Sequence, residues 1–167
     1  MRATETMRKC LSMLLAVLLF CSAGCGPSET DEMRQLYANE EKIATPYSSY
    51  VMGSGEQQVN GQGTTGSFEA FNGMVMFWSY YLEQETALDI RYYIRVKQGK
   101  VKLVLVDPDL NVITIDEISG QTGMDDTAVQ TLLLEEGTTF LKLVGTDDAQ
   151  VEFEMSIREG DFYAVRD

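Results

Sequence analysis

Residues 87 to 97 read ALDIRYYIRVK, and the apolar side chains fall at every second position: Leu88, Ile90, Tyr92, Ile94 and Val96. Asp89, Arg91, Tyr93, Arg95 and Lys97 take the positions between. A period of two is the signature of a strand with one face buried and the other wet. VEFEMSIR, 151 to 158, repeats it with Val151, Phe153, Met155 and Ile157 inward. KVKLVLVD, 100 to 107, is nearly all apolar and reads as a central strand covered on both faces. NVITID, 111 to 116, follows Asp107-Pro108-Asp109-Leu110, a turn with proline at its favoured second position. VQTLLLEEG and TTFLKLVG meet at Glu136-Gly137, a hairpin-type break. With MVMFWSYYL, 74 to 82, about seven or eight strands recur at intervals of roughly 8 to 14 residues. No long helical pattern competes. The expected fold class is all-β, an antiparallel β-sandwich of jelly-roll-like type, with a closed barrel as the alternative.

The start of the chain has a different character. Arg2, Arg8 and Lys9 stand against one acid, Glu5, and an apolar run follows from Leu11 to Cys21, interrupted by Ser12. Eleven helical residues rise about 16 Å, roughly half the thickness of a bilayer core. A basic start, a short apolar run and small residues after it are the parts of a secretory signal. The small residues are Ser22, Ala23 and Gly24, and Cys25 follows at once.

SAGC at 22 to 25 resembles the lipobox of bacterial lipoproteins, although Ser22 stands where leucine is commonest. The resemblance implies cleavage before Cys25 and acylation of its thiol, so that residues 1 to 24 are a leader and Cys25 is a lipid anchor. Cys10 and Cys21 lie in the leader, and no cysteine follows residue 25, so the remaining chain can form no internal disulfide. The diacylglyceryl group that the resemblance implies carries two acyl chains. One chain holds a protein to a membrane only marginally, and two hold it stably.

The chain carries 13 basic and 26 acidic residues, a net charge of −13. Three of the basic residues and one acid lie in the leader, so residues 25 to 167 are more acidic still, at −15. Such a surface repels phosphate backbones and anionic headgroups, which excludes nucleic acid as a partner and leaves attachment to the membrane to the lipid. The 143 residues from 25 to 167 suffice for one core.

Residues 25 to 65 are expected to form the lipidated N-terminus and tether. Ser28 and Asp31 have capping-box spacing, Met33, Leu36, Tyr37 and Ile43 suggest a short helix, and Pro46 ends it. GSGEQQVNGQGTTG, 53 to 66, has the composition of a flexible linker or irregular entry strand. The β-sandwich domain is therefore expected over 66 to 167.

KVKLVLVDPDLNVI and LLLEEGTTFLKLVGTDDAQVEFEMSI together resemble the compact jelly-roll modules appended to bacterial secreted proteins, of the pre-peptidase C-terminal and galactose-binding-like kinds. That resemblance implies a carbohydrate-binding, protein-binding or stabilising module and no catalysis.

The residues themselves point the same way. The chain has no histidine, so Ser-His, Cys-His and His-ligated metal sites are unavailable, and no cofactor is expected. Asp107, Asp109 and Asn111 alternate as at the start of a calcium loop. Val112 stands where an EF-hand has glycine, however, and Ile118 where it has glutamate. A polar hairpin turn is the expected role of that stretch. MVMFWSYYL poses the sharper question. As a regular strand it puts Met74, Met76, Trp78 and Tyr80 on one face and Val75, Phe77, Ser79 and Tyr81 on the other. Both faces are apolar, and a two-layer sandwich covers one. Core packing with the second face under residues 26 to 65 is the favoured outcome. The other is an exposed aromatic surface of the kind that stacks on sugars or docks proteins, with Trp78, Tyr80 and outward Tyr93 as its ligand-binding residues. Tyr93 lies in a basic stripe with Arg91, Arg95 and Lys97, which acids across the sheet can pair. The expected protein is a membrane-anchored extracytoplasmic lipoprotein, a non-catalytic binding module for an envelope protein or glycan. A structural subunit without a ligand is the alternative, and a carboxylate-based glycoside hydrolase a remote one.

Overall fold

The computed structural model describes residues 28–120 and 126–165. Three long antiparallel strands dominate it: β3 (Gly63–Leu82), β4 (Thr86–Val106) and β7 (Gly137–Ile157), hydrogen-bonded in the order β3-β7-β4. Each is several times the usual strand length, and each bends once. The bends lie side by side. Gly73 and Gly99 adopt φ of 112° and 73°, and Asp147 and Asp148 adopt 59° and 52°. On β7, Thr146 faces Lys100 and Gln150 faces Gln98, so three residues oppose one. The extra residues on β7 turn the strand sharply, as bulges do. Asn72, buried at the bend, donates from Nδ2 to Asp148 Oδ1 at 2.7 Å and accepts from the Asp148 amide at 3.1 Å. Asp147-Asp148 thus forms a corner inside a strand rather than a loop.

The corner folds one continuous sheet into two layers. The first contains β2 (Ser54–Asn60), residues 63–69 of β3, 150–157 of β7, 86–96 of β4, and β6 (Ala128–Leu134). The second contains β1 (Ser49–Val51) and β8 (Asp161–Phe162), then residues 72–82 of β3, 137–146 of β7, 100–106 of β4, and β5 (Val112–Ser119). Between them lies the core. Phe77 of the second layer meets Phe153 of the first with ring centroids 4.8 Å apart, and Phe68 joins both. Tyr92 of the first layer donates to Asp116 of β5 at 3.3 Å, and burial with that neighbouring carboxylate pushes its phenol up to about 12. The protein is an all-β antiparallel sandwich.

The apolar run 100–107 is covered on both sides. Leu103 and Leu105 face the inter-layer core, while Val104 packs with Met74, Val144 and Ile43 on the outer side of the second layer. Ile43 belongs to α2 (Glu40–Ile43), which follows α1 (Glu29–Leu36). Ser28 and Asp31 make the reciprocal capping box that opens α1. Helices this short do not persist alone, so tertiary contacts hold them. Arg34 reaches Asp148 at 2.6 Å, and Tyr37 donates to Glu117 at 2.9 Å. Lys142, wholly buried, donates to the carbonyls of Ile43, Thr45 and Tyr47.

Two local expectations differ from the structure. The 53–66 segment contains a strand: β2 pairs with β3 through a tight turn, Asn60 facing Gly63, so the sheet reaches back past residue 66. Gly61-Gln62 make the two-residue turn, and the segment before them is a regular paired strand where composition suggested a flexible linker or irregular entry strand. Glu136-Gly137 joins no hairpin. β6 pairs with β4 in the first layer, and β7 begins in the second, so the link crosses between layers. Gly137, at φ 122° and packed on Pro108, makes that crossing.

Candidate binding face

The strand 74–82 contains one residue more than its partner. Met76 faces Lys142 and Trp78 faces Leu141, which leaves Phe77 as a bulge. The bulge reverses the alternation that a regular strand would keep. Val75, Phe77, Trp78 and Leu82 therefore all enter the core. Trp78 is 0% exposed, and its indole donates to the Glu159 carbonyl at 2.8 Å. Trp78 is accordingly corrected from a candidate stacking residue to a core residue. Tyr80, 6.0 Å from the indole, is half-buried and packs against the same core, so it offers no open ring face beside Trp78. Of the aromatic pairs in this strand, Tyr81 alone is well exposed, at 66%.

The outer face of the second layer is thus closed in its upper part by α1 and α2. The outer face of the first layer is open across five strands. Register places Glu56, Gln58 and Asn60 of β2 beside Thr65 and Ser67 of β3, then Glu152, Glu154 and Ser156 of β7. Asp89, Arg91, Tyr93 and Arg95 of β4 come next, and Val129, Thr131 and Leu133 of β6 close the row. Short hydroxylated side chains line its middle, Thr65, Ser67 and Ser156, and longer ones flank them. Tyr93 is half-buried on this face, opposite Glu154.

The basic stripe is partly paired. Lys97 meets Glu152 at 2.5 Å, and that hydrogen bond, with Lys97 and Arg95 nearby, holds the Glu152 carboxyl below its usual range. Arg91 lies opposite Ser156 instead of an acid. Arg91 and Arg158 line a basin of about 660 Å³ with Gln62, Asp89, Thr131 and Ser156. Asp89 accepts from the Thr131 hydroxyl at 2.7 Å. Among the described residues, neither arginine has a carboxylate within ion-pair distance. The basin sets donors and acceptors from β4, β6 and β7, the β2–β3 turn and the chain just after β7 beside the apolar Leu88 and Val129.

The other sequence candidates lie elsewhere. Cys25 falls outside the described residues. Asp107 and Asn111 sit at the β4–β5 turn, where both Asp107 carboxylate oxygens accept from Asn111, one from its amide and one from its side chain, each at 2.8 Å. Asp109 is exposed beside them. These bonds shape a turn, in which Leu110 takes φ of 66°, and among the described residues no cluster of three acidic or cysteine ligands forms. Gln62, Thr131, Ser156 and Arg158 were not legible as site residues. They come together only in the folded sheet, from β6, β7, the β2–β3 turn and the residue after β7, and such scattered positions carry no common motif.

The fold and face define a class, a two-layer antiparallel β-domain with one open polar sheet face. No family model and no curated protein matches the chain. Among solved structures it is similar to one described as a family 35 carbohydrate binding module from an environmental isolate. That match has 14% identity and a TM-score of 0.35, over 73% of this chain and 86% of the other. A likeness of that size says nothing about ligands.

Proposed function

We propose that this protein is a lipid-anchored extracytoplasmic binding module that holds a cell-envelope glycan on the open face of its first layer, without catalysis. The observation that carries this reading is the asymmetry of the two outer faces: one is partly covered by the protein's own N-terminal segment, and the other is left open and lined with polar groups. Hydroxyl-rich ligands need many directed donors and acceptors, and Arg91, Gln62, Ser156 and Thr131 provide them around one basin. The Tyr93 phenol adds a half-exposed planar surface within the same stripe.

Attachment through Cys25 fits this arrangement. Only three residue steps separate Cys25 from Ser28, where the capping box of α1 begins, and they reach about 11 Å at most. The domain would then sit close to the bilayer on the side that carries α1, with the open face turned away from it.

Two measurements test the two parts separately. Cys25→Ala should abolish acylation and leave no mature-length protein in the membrane, and a variant that is still cleaved and membrane-bound, read by mass, would refute the anchor. Purified envelope glycans should bind the wild type and lose affinity to the double variant Arg91→Ala, Tyr93→Ala. Equal binding by both proteins, or capture of an envelope protein with no glycan retained, would overturn the glycan reading.

A further inference from the structure

The sequence contains two Asn-Gly pairs, Asn60-Gly61 and Asn72-Gly73, and the fold places them in opposite settings. An asparagine followed by glycine is open to attack by its own chain: the glycine amide nitrogen closes a five-membered ring on the side-chain carbonyl carbon. The step needs a free nitrogen, a carbonyl carbon near it, and a backbone with room to turn. Asn72 is held against all movement of that kind. It is 1% exposed, its Nδ2 donates to Asp148 Oδ1 at 2.7 Å, and its Oδ1 accepts from the Asp148 amide at 3.1 Å. Gly73 is fixed between Tyr50 of β1 and Gly145 of β7.

Asn60 and Gly61 lie open. Both are exposed, Asn60 at the end of β2 and Gly61 in the two-residue turn to β3. A Cβ on Gly61 would meet nothing within 4 Å, so the ring has room to form. The Gly61 amide makes no hydrogen bond among the described residues. The Gln62 amide donates to Asn60 Oδ1 at 3.4 Å. That contact folds the side chain back along the backbone and brings its carbonyl carbon towards the Gly61 nitrogen, which lies between the two bonded groups.

We propose that Asn60 is a site of spontaneous deamidation, and that its isoaspartyl product loosens the hold of the β2–β3 turn on β7. The Gly61 nitrogen gives its proton to solvent base and bonds to Asn60 Cγ. The Cγ–Nδ2 bond breaks, ammonia leaves, and a cyclic imide remains. Water then opens the imide. Breaking the bond from nitrogen to Cγ restores the ordinary main chain with aspartate at position 60. Breaking the bond from nitrogen to the backbone carbonyl carbon routes the main chain through the side chain, as isoaspartate. Either way one water is consumed and one ammonia released, with no change of oxidation state. The isoaspartyl product adds one atom to the main chain beside a turn of only two residues. That turn is fastened to β7, because the Gln62 carbonyl accepts from the Ile157 amide at 3.0 Å, and the added atom displaces this acceptor. Gln62 also lines the basin, so the test reads covalent structure and amide exchange in the chain without any glycan.

Ageing the full chain in mildly alkaline buffer tests the proposal. Cleavage after glutamate separates the two pairs, into 57–69 with Asn60 and 70–83 with Asn72. In the folded chain the first peptide should gain about 1 Da and become a substrate for isoaspartyl methyl transfer, while the second stays unchanged. In guanidinium chloride both should convert, since unfolding removes the contacts that hold Asn72. Asn60→Gln should suppress the conversion, because the longer side chain must close a less favourable six-membered ring. Hydrogen exchange at the Ile157 amide should be faster in the aged chain than in the fresh one. A 57–69 peptide that keeps its mass, equal conversion of both peptides in the folded chain, or conversion undiminished in Asn60→Gln would each overturn the site. Failure of Asn72 to convert in denaturant would overturn the fold as the cause of the difference. Unchanged exchange at Ile157 would overturn the effect on β7. None of these outcomes bears on Arg91, Tyr93 or Cys25, so the proposed function stands or falls by its own tests.

Discussion

The indole of Trp78 donates to the carbonyl of Glu159 at 2.8 Å across the edge of the second layer, beneath the turn that leads into β8. Gly160 makes that turn at φ 84°, and a Cβ there would lie 2.4 Å from the indole nitrogen. The single tryptophan is therefore both a core residue and a fastening for the end of the chain. Its emission should be blue-shifted, and acrylamide should quench it weakly. Strong quenching in the folded protein would contradict its burial. Trp78→Ala should cost about 3 to 5 kcal/mol in chemical denaturation.

The corner makes a second testable demand. A Cβ on Gly99 would stand 2.6 Å from the Thr146 carbonyl oxygen and 2.8 Å from the Ala149 Cα, at a φ of 73° that side chains resist. Gly99→Ala should destabilise by about 2 kcal/mol or more. Gly61, in the β2–β3 turn, has open space where its Cβ would go, and Gly61→Ala should stay within about 0.5 kcal/mol of wild type. Thermal melts of the two variants give the comparison, and equal melting temperatures would refute the corner's steric role.

Lys142 supplies a pH-dependent prediction. Burial pushes its ammonium down to about 8, while the unfolded chain titrates near 10.5. Between those values the unfolded state binds more protons than the native one, so this group makes stability rise with pH. Below about pH 8 both states are protonated and the contribution is constant. Relative to Lys142→Met, the wild type should gain about 2 to 3 kcal/mol between pH 8 and 10. Denaturation of both proteins at those two pH values reads the difference directly. A flat difference would mean that the three carbonyl acceptors from residues 43 to 47 keep the folded ammonium near its ordinary range.

The open face carries the opposite expectation. Arg91 is exposed and makes no ion pair among the described residues, and Tyr93 is half-buried at the surface of the sheet. Arg91→Ala should leave stability within about 0.5 kcal/mol, so any loss of glycan binding in that variant reports contact and not unfolding. Lys97→Ala removes the 2.5 Å partner of Glu152 and should raise the Glu152 carboxyl back towards its ordinary range, readable by NMR titration.

Much of this was legible in the sequence. Period-two alternation at 87–97 and 151–158 determines which side chains face inward, because a strand offers successive residues to opposite faces. The apolar stretch 100–107 had to be covered twice, and the capping box at Ser28 and Asp31 marked where a helix begins. The Asp107–Asn111 turn followed from proline and local polar side chains. Tertiary structure alone decided the rest. One extra residue between Met76 and Trp78 reversed the faces of the most aromatic strand, and a bulge is defined by the partner strand, which the local sequence does not contain. The same reason hid the corner, where 87–97 and 100–107 proved to be two arms of one strand bent at Gly99. It also hid the basin, because Arg91, Thr131 and Ser156 lie far apart along the chain and become neighbours only when register brings β4, β6 and β7 side by side.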